Sequence, residues 1–174
     1  MKQFIFFPPM ALMVLFLTAC ATTRVSEHTA LDSKGEYRSM VIAAPGADSE
    51  IAEPLKVELV KALRKRGVVV SRYESIFPDK PRFDAESDSK FLLGQGVDGL
   101  LEVELACCER FETGGVVSAM AKVSLYDMKT AQVTWHGKAS TRAAGLLYMR
   151  ESKALESLAE AIAEKLVEER YIKP

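Results

Sequence analysis

Between Val117 and Ala139, apolar and polar residues alternate through two consecutive runs separated by a short polar stretch. In the first run Val117, Ala119, Ala121, Val123 and Leu125 alternate with Ser118, Met120, Lys122, Ser124 and Tyr126. In the second, Val133, Trp135, Gly137 and Ala139 alternate with Gln132, Thr134, His136 and Lys138. A period of two belongs to a strand, because successive side chains leave opposite faces of a sheet. Asp127-Met128-Lys129-Thr130 between the runs supplies turn chemistry, so the stretch predicts an antiparallel hairpin with one dry and one wet face. A chain that contains it must build a sheet and cover one side of it.

A third strand precedes the hairpin. Gly99 to Ala106 reads GLLEVELA, which sets Leu101, Val103 and Leu105 on one face and Glu102 and Glu104 on the other, and Gly114-Gly115 marks the turn that follows. Two carboxylates on one face invite a general acid–base pair. With no nucleophile, histidine partner or metal motif beside them, they read instead as the wet side of a meander. His136 belongs to that wet side, and His28 lies far upstream without a partner, so no catalytic, metal-binding or cofactor-binding residues are expected.

The preceding region alternates strand and helix. Met40 to Ala43 is a short buried strand ending at Pro45-Gly46. Asp48 or Ser49 caps a helix whose stripe is Ile51, Leu55, Leu59, Ala62 and Leu63, with Lys61, Arg64, Lys65 and Arg66 toward its carboxyl end and Gly67 as its stop. Val68 to Val70 is a second strand, which predicts a right-handed parallel unit. Residues 71–86 read as a loop, and a short helix from Ser87 or Asp88 runs through Phe91, Leu92 and Leu93. Gly94-Gln95-Gly96 closes that helix instead of following a strand, so it is not a phosphate loop. An amphipathic helix over Glu151 to Arg170 completes the order β-α-β-α-β-β-β-α. The expectation is an α/β (α+β) fold with a mixed sheet of about five strands and helices mainly on one face.

The first residues describe where such a domain is sent. Met1-Lys2-Gln3 carries one positive charge, and apolar residues run on to Leu17, broken by Pro8-Pro9. A membrane span needs about 20 apolar residues, and the unbroken run from Met10 to Leu17 is far shorter. It has the layout of a signal peptide ending in the small residues Thr18 and Ala19. Leu17-Thr18-Ala19-Cys20 resembles the lipobox of bacterial lipoproteins, which implies cleavage between Ala19 and Cys20 and acyl chains on Cys20 that hold the protein to a membrane. Ala21 and Thr22 stand after the cysteine, where in such lipoproteins an aspartate would signal inner-membrane retention, so the resemblance implies the outer membrane; the expected side is the periplasmic one. The alternative is an ordinary signal peptide with an incidental cysteine.

The expected organisation is therefore a signal peptide over 1–19, a flexible lipid-anchored tether over 20–37 rich in Thr, Ser, Glu and Lys, and one domain over 38–174. Lys and Arg total 23 against 24 Asp and Glu, interleaved along the chain, which argues against a nucleic-acid partner. Cys107 and Cys108 are adjacent and lie outside any CxxC or Cys/His spacing, so no metal is implied. On a strand one would be a buried thiol and the other would face the opposite side. The alternative is an intermolecular disulfide or a redox role.

The element order, with VIAAPGADSE leading a helix and QGVDGLLEVEL leading the meander, resembles the small α/β domain of the amino-terminal part of TolB, the curli-secretion lipoproteins and the lipoprotein activators of penicillin-binding proteins. The resemblance covers residues 38–170. It implies a non-enzymatic module that binds an envelope protein or copies of itself. The residues expected to carry this are those of the wet face: Glu102, Glu104, Met120, Lys122, Tyr126 and His136. A secretion-pore component is one alternative, although the connections are too short to add hairpins and a membrane-spanning 116–141 hairpin would take two strands from the sheet. A periplasmic thiol or hydrolytic enzyme using the carboxylates or Cys108 is the other.

Overall fold

The computed structural model describes residues 22–30, 36–45, 49–110, 115–143 and 149–173. In chain order the elements are β1 (Thr22–Ala30), β2 (Ser39–Ala43), α1 (Ser49–Arg64), β3 (Val69–Arg72), α2 (Tyr73–Ile76), α3 (Ala85–Gly94), β4 (Gly99–Arg110), β5 (Val116–Asp127), β6 (Gln132–Arg142) and α4 (Glu151–Glu168). The signal segment, Ala19 and Cys20, and the Gly114 half of the expected glycine turn lie outside the described residues.

The strands form one six-stranded sheet ordered β1-β6-β5-β4-β2-β3. β2 runs parallel to both β3 and β4, while β4, β5, β6 and β1 pair antiparallel. The fold is thus α/β with a mixed sheet, as the patterning predicts, and the parallel β2-α1-β3 unit takes its expected place. The sixth strand is the first correction: Thr22–Ala30, read from sequence as flexible tether, is β1, an edge strand pairing with β6 from Thr22↔Arg142 to Ala30↔Trp135. Thr22, Thr23 and Val25 are β-branched and suit a half-exposed edge, and Val25 is the large apolar residue among them.

The helices cover mainly one face, as the patterning predicts, with a smaller cover on the other. α1 and α4 seal one face, where Leu55, Leu59 and Leu63 meet Leu155, Leu158, Ile162 and Leu166 above Leu101, Val103, Val123, Leu125 and Trp135. The opposite face is covered only at its β2 end, where Tyr73 and Leu92 pack on Val41, Ala43, Leu100 and Met128, with Phe77 and Phe83 at their side. The expected loop 71–86 therefore contains the short helix α2, held by the Tyr73 and Phe77 rings at 4.9 Å.

Helix ends follow local chemistry. Asp84 caps α3 by accepting from the backbone N–H groups of Glu86 and Ser87. Gly96, at φ 77°, ends it with Gly96 N–H donating to Leu93 O and Val97 N–H to Leu92 O, a Schellman arrangement. Gly67 closes α1 in the same way. α4 ends on the same pair of bonds, from Arg170 to Val167 and Tyr171 to Leu166, but the left-handed position at φ 64° is filled by Arg170.

Thr134 is the second correction, since the alternation put it on the wet side and it is 1% exposed. Leu125 pairs with Trp135 while Tyr126 pairs with Val133, so Thr134 is the extra residue of a bulge and turns inward with Trp135. Its hydroxyl donates to Leu125 O at 3.2 Å and lies 3.3 Å from the Tyr37 hydroxyl. Tyr37 also donates to Asp127, and Tyr171 donates to Thr134 O, which ties the segment before β2 and the end of α4 to the β5–β6 turn.

Candidate functional site

Because α2 and α3 stop short, β4, β5 and β6 present a bare face on the side away from α1 and α4. The register sets this face out in rows. Glu102, Ser124 and His136 lie in one row, Glu104, Lys122 and Lys138 in the next, and Glu109, Ser118 and Arg142 in another. Between the last two, Met120 stands opposite Ser140. Every charged row carries its acid on β4 and a basic or imidazole side chain on β6. The face is thus split by charge across its width.

All six residues expected from sequence are on this face. Tyr126 donates to Glu102 Oε2 at 3.1 Å and meets the Phe83 ring edge-on at 5.0 Å, so α3's flank braces the row that holds Glu102. Burial, then the neighbouring Glu102 charge, pushes the Tyr126 phenol up to about 12. Ser124 Oγ sits 3.1 Å from His136 Nδ1, and Lys122 Nζ is 3.7 Å from Glu104 Oε2 with both side chains well exposed. Directly across from Lys122 is Lys138, a like-charge cross-strand pair that is unfavourable in isolation.

The bare face deepens into a groove of about 780 Å³ lined by Pro45, Arg82, Glu102, Glu104, Lys122, Ser124, His136 and Lys138, among others. Ser124 and Lys138 share the alternation that pointed to their neighbours, so a sequence signal existed for them. Arg82 and Pro45 arrive from distant loops and had none. Within the groove the hydroxyl–imidazole contact of Ser124 with His136 is exposed to solvent, and the described residues hold no cluster of three or more His, Cys, Asp or Glu side chains suited to a metal. Cys107 and Cys108 pair with Met120 and Ala119, so β4 runs past the Gly99–Ala106 alternation and across a bulge to include them.

Polar chemistry elsewhere has structural partners. Asp88 is buried, accepting from Tyr73 Oη at 2.7 Å, Lys80 Nζ, Ser87 Oγ and the Asp84 N–H. Burial opposes its charge, but these donors outweigh it and hold the carboxyl below its ordinary value. Lys56 is buried between Glu53 and Glu74, and their carboxylates raise its pKa against the opposing effect of burial.

Neither a protein-family model nor a curated protein matches this sequence. Solved structures do. A PelC dodecamer from Paraburkholderia phytofirmans superposes with a TM-score of 0.52 at 16% identity, covering 89% of this chain and 100% of that one. The chain shares its fold with PelC. A point variant of the same PelC dodecamer gives a TM-score of 0.50 at 16% identity, over 86% of this chain and 98% of the other. Lipoprotein GNA1162 from Neisseria meningitidis gives 0.48 at 16% identity, over 75% and 98%. At 16% identity the likeness to PelC extends to the fold, and no site residue is carried across. No helix among the described residues is long and apolar enough to cross a membrane.

Proposed function

We propose that this protein is a non-enzymatic lipoprotein of the bacterial outer membrane, acylated on Cys20, facing the periplasm and working as a protein-binding module that assembles with copies of itself. The observation that carries the reading is the unevenly covered sheet: one face sealed by α1 and α4, the other bare, polar and split by charge between β4 and β6. A face of exposed Glu104, Lys122, His136 and Lys138 suits a wet, hydrogen-bonded protein contact. The PelC structures sharing this fold are dodecamers, which supports self-association as the mode. Envelope localisation and acylation rest on the Leu17-Thr18-Ala19-Cys20 sequence and the apolar run before it.

The test is the mass of the full chain, purified in mild detergent, by light scattering at low and high salt. An assembly that weakens with salt, and that Glu104→Lys with Lys122→Glu shifts toward monomer while the circular dichroism spectrum is unchanged, supports the reading. A monomer at about 50 μM, a concentration at which interfaces of micromolar affinity are occupied, refutes self-assembly. An assembly indifferent to both substitutions moves it off this face.

A further inference from the structure

We infer that the sheet end where β1 begins is the membrane-facing end of the domain, with Arg24, Arg142 and Arg150 at the depth of the lipid headgroups. The inference rests on the acylation of Cys20 proposed above and adds the orientation it imposes. It follows from how near β1 lies to Cys20 along the chain. Thr22 is already in β1, paired with Arg142, and Thr23 Oγ1 donates to Thr141 Oγ1 at 3.0 Å. Only Ala21 separates Thr22 from Cys20. At roughly 3.5 Å per residue, the Cα of Thr22 stands at most about 7 Å from that of Cys20. A leash this short holds one end of the sheet against the bilayer.

The register identifies what else is at that end. Arg142 lies across from both Thr22 and Ser118, and Arg24 stands opposite Ser140. Met149 bridges to Val116 at the start of β5, which brings Arg150 to the same end at the start of α4. All three arginines are exposed, and among the described residues none makes an ion pair. Among the described acidic residues, Glu109 lies across from Ser118 and accepts from its hydroxyl, Glu151 follows Arg150, and Glu164 and Glu168 line a pocket with Thr23 and Val25 on either side of Arg24. Exposed guanidinium groups held within reach of a bilayer bind phosphate oxygens through paired N–H donors. The β5–β6 turn, with exposed Lys129, is at the other end of the strands, about 30 Å away at 3.4 Å per residue.

The experiment uses the full chain, its acylation first checked by intact mass, reconstituted in vesicles of 70% phosphatidylethanolamine and 30% phosphatidylglycerol. A photoreactive benzoylphenylalanine is installed at Ser118 or, separately, at Lys129. The expected result is a phospholipid crosslink at Ser118 at least about fivefold stronger than at Lys129. Arg142→Glu with Arg150→Glu should lower the Ser118 yield at least about threefold, because headgroup attraction is replaced by repulsion. Equal crosslinking at the two positions, or a stronger signal at Lys129, overturns the orientation while leaving the lipoprotein reading intact. Preferential crosslinking at Ser118 that ignores the charge reversal overturns the arginine contact. An unacylated mature chain removes the anchor reading and this inference with it.

Discussion

The six-membered ring of Trp135 occupies the space that a side chain on Gly137 would need: a Cβ built there overlaps the ring's Cη2 and Cζ2. Both residues are on β6 and point to the same face, so the indole lies along the strand over its neighbour. Gly137→Ala is therefore expected to destabilise the domain by about 1–3 kcal/mol through overpacking in a dense core. The chemical denaturation midpoint measures this, and a midpoint within experimental error of wild type would show that the ring moves aside freely.

Arg170 fills a helix-ending position that Gly67 and Gly96 fill at the ends of α1 and α3. A left-handed residue with a Cβ costs about 1–2 kcal/mol, partly offset by glycine's greater freedom in the unfolded chain. Arg170→Gly should accordingly stabilise by about 0.5–1 kcal/mol, seen as a rise in melting temperature. A fall would mean that the Arg170 side chain makes a contact worth more than the strain.

Asp88 gives stability an acid limb. Its folded pKa is held below the ordinary 3.8, so its contribution is complete above that value and disappears as pH falls through the lower folded value. Asp88→Asn should cost about 2–3 kcal/mol at neutral pH, since charge-assisted bonds from Lys80 and Tyr73 are lost. The variant's stability should also fall less steeply below pH 4. Parallel acid limbs in urea titrations of the two proteins would remove Asp88 from this role.

At the other end of the scale, burial raises the phenols of Tyr37, Tyr73 and Tyr126, the last to about 12. In the unfolded chain they ionise near pH 10. Their neutral forms are favoured by folding, so their contribution is complete below about 10 and is lost as pH climbs toward the folded values. Ultraviolet titration should show these three tyrosines silent through pH 11 in folded protein. Tyr126→Phe should remove one late-titrating group; full tyrosine ionisation by pH 11 without unfolding would contradict the burial argument.

What could be read from sequence was whatever repeats with the period of its element. α1, α4 and, away from its bulges, the β4–β5–β6 meander each carry an apolar stripe, so their type, order and most of their dry face followed from spacing alone. β1 carries no stripe, because an edge strand with Val25 as its one large apolar residue buries too little to show one. Thr134 escaped because a bulge shifts the period by one residue at the hairpin's end. The six wet-face residues followed from alternation. Arg82 and Pro45 reach the same groove only through tertiary packing, and the burial of Lys56 depends on Glu74 from α2, so local patterning could not reveal either.

β1 also sets how a load would pass through the molecule. Were Cys20 acylated as proposed, a tug from the bilayer would enter at Thr22 along the axis of an edge strand whose partner, β6, is itself held on its other side by β5. Pulling along the strands stresses the rungs from Thr22↔Arg142 to Ala30↔Trp135 together, in shear, instead of peeling them one after another. If Cys20 is acylated, the join between anchor and domain would resist a pull along the strands better than a sideways lift of β1 off the sheet.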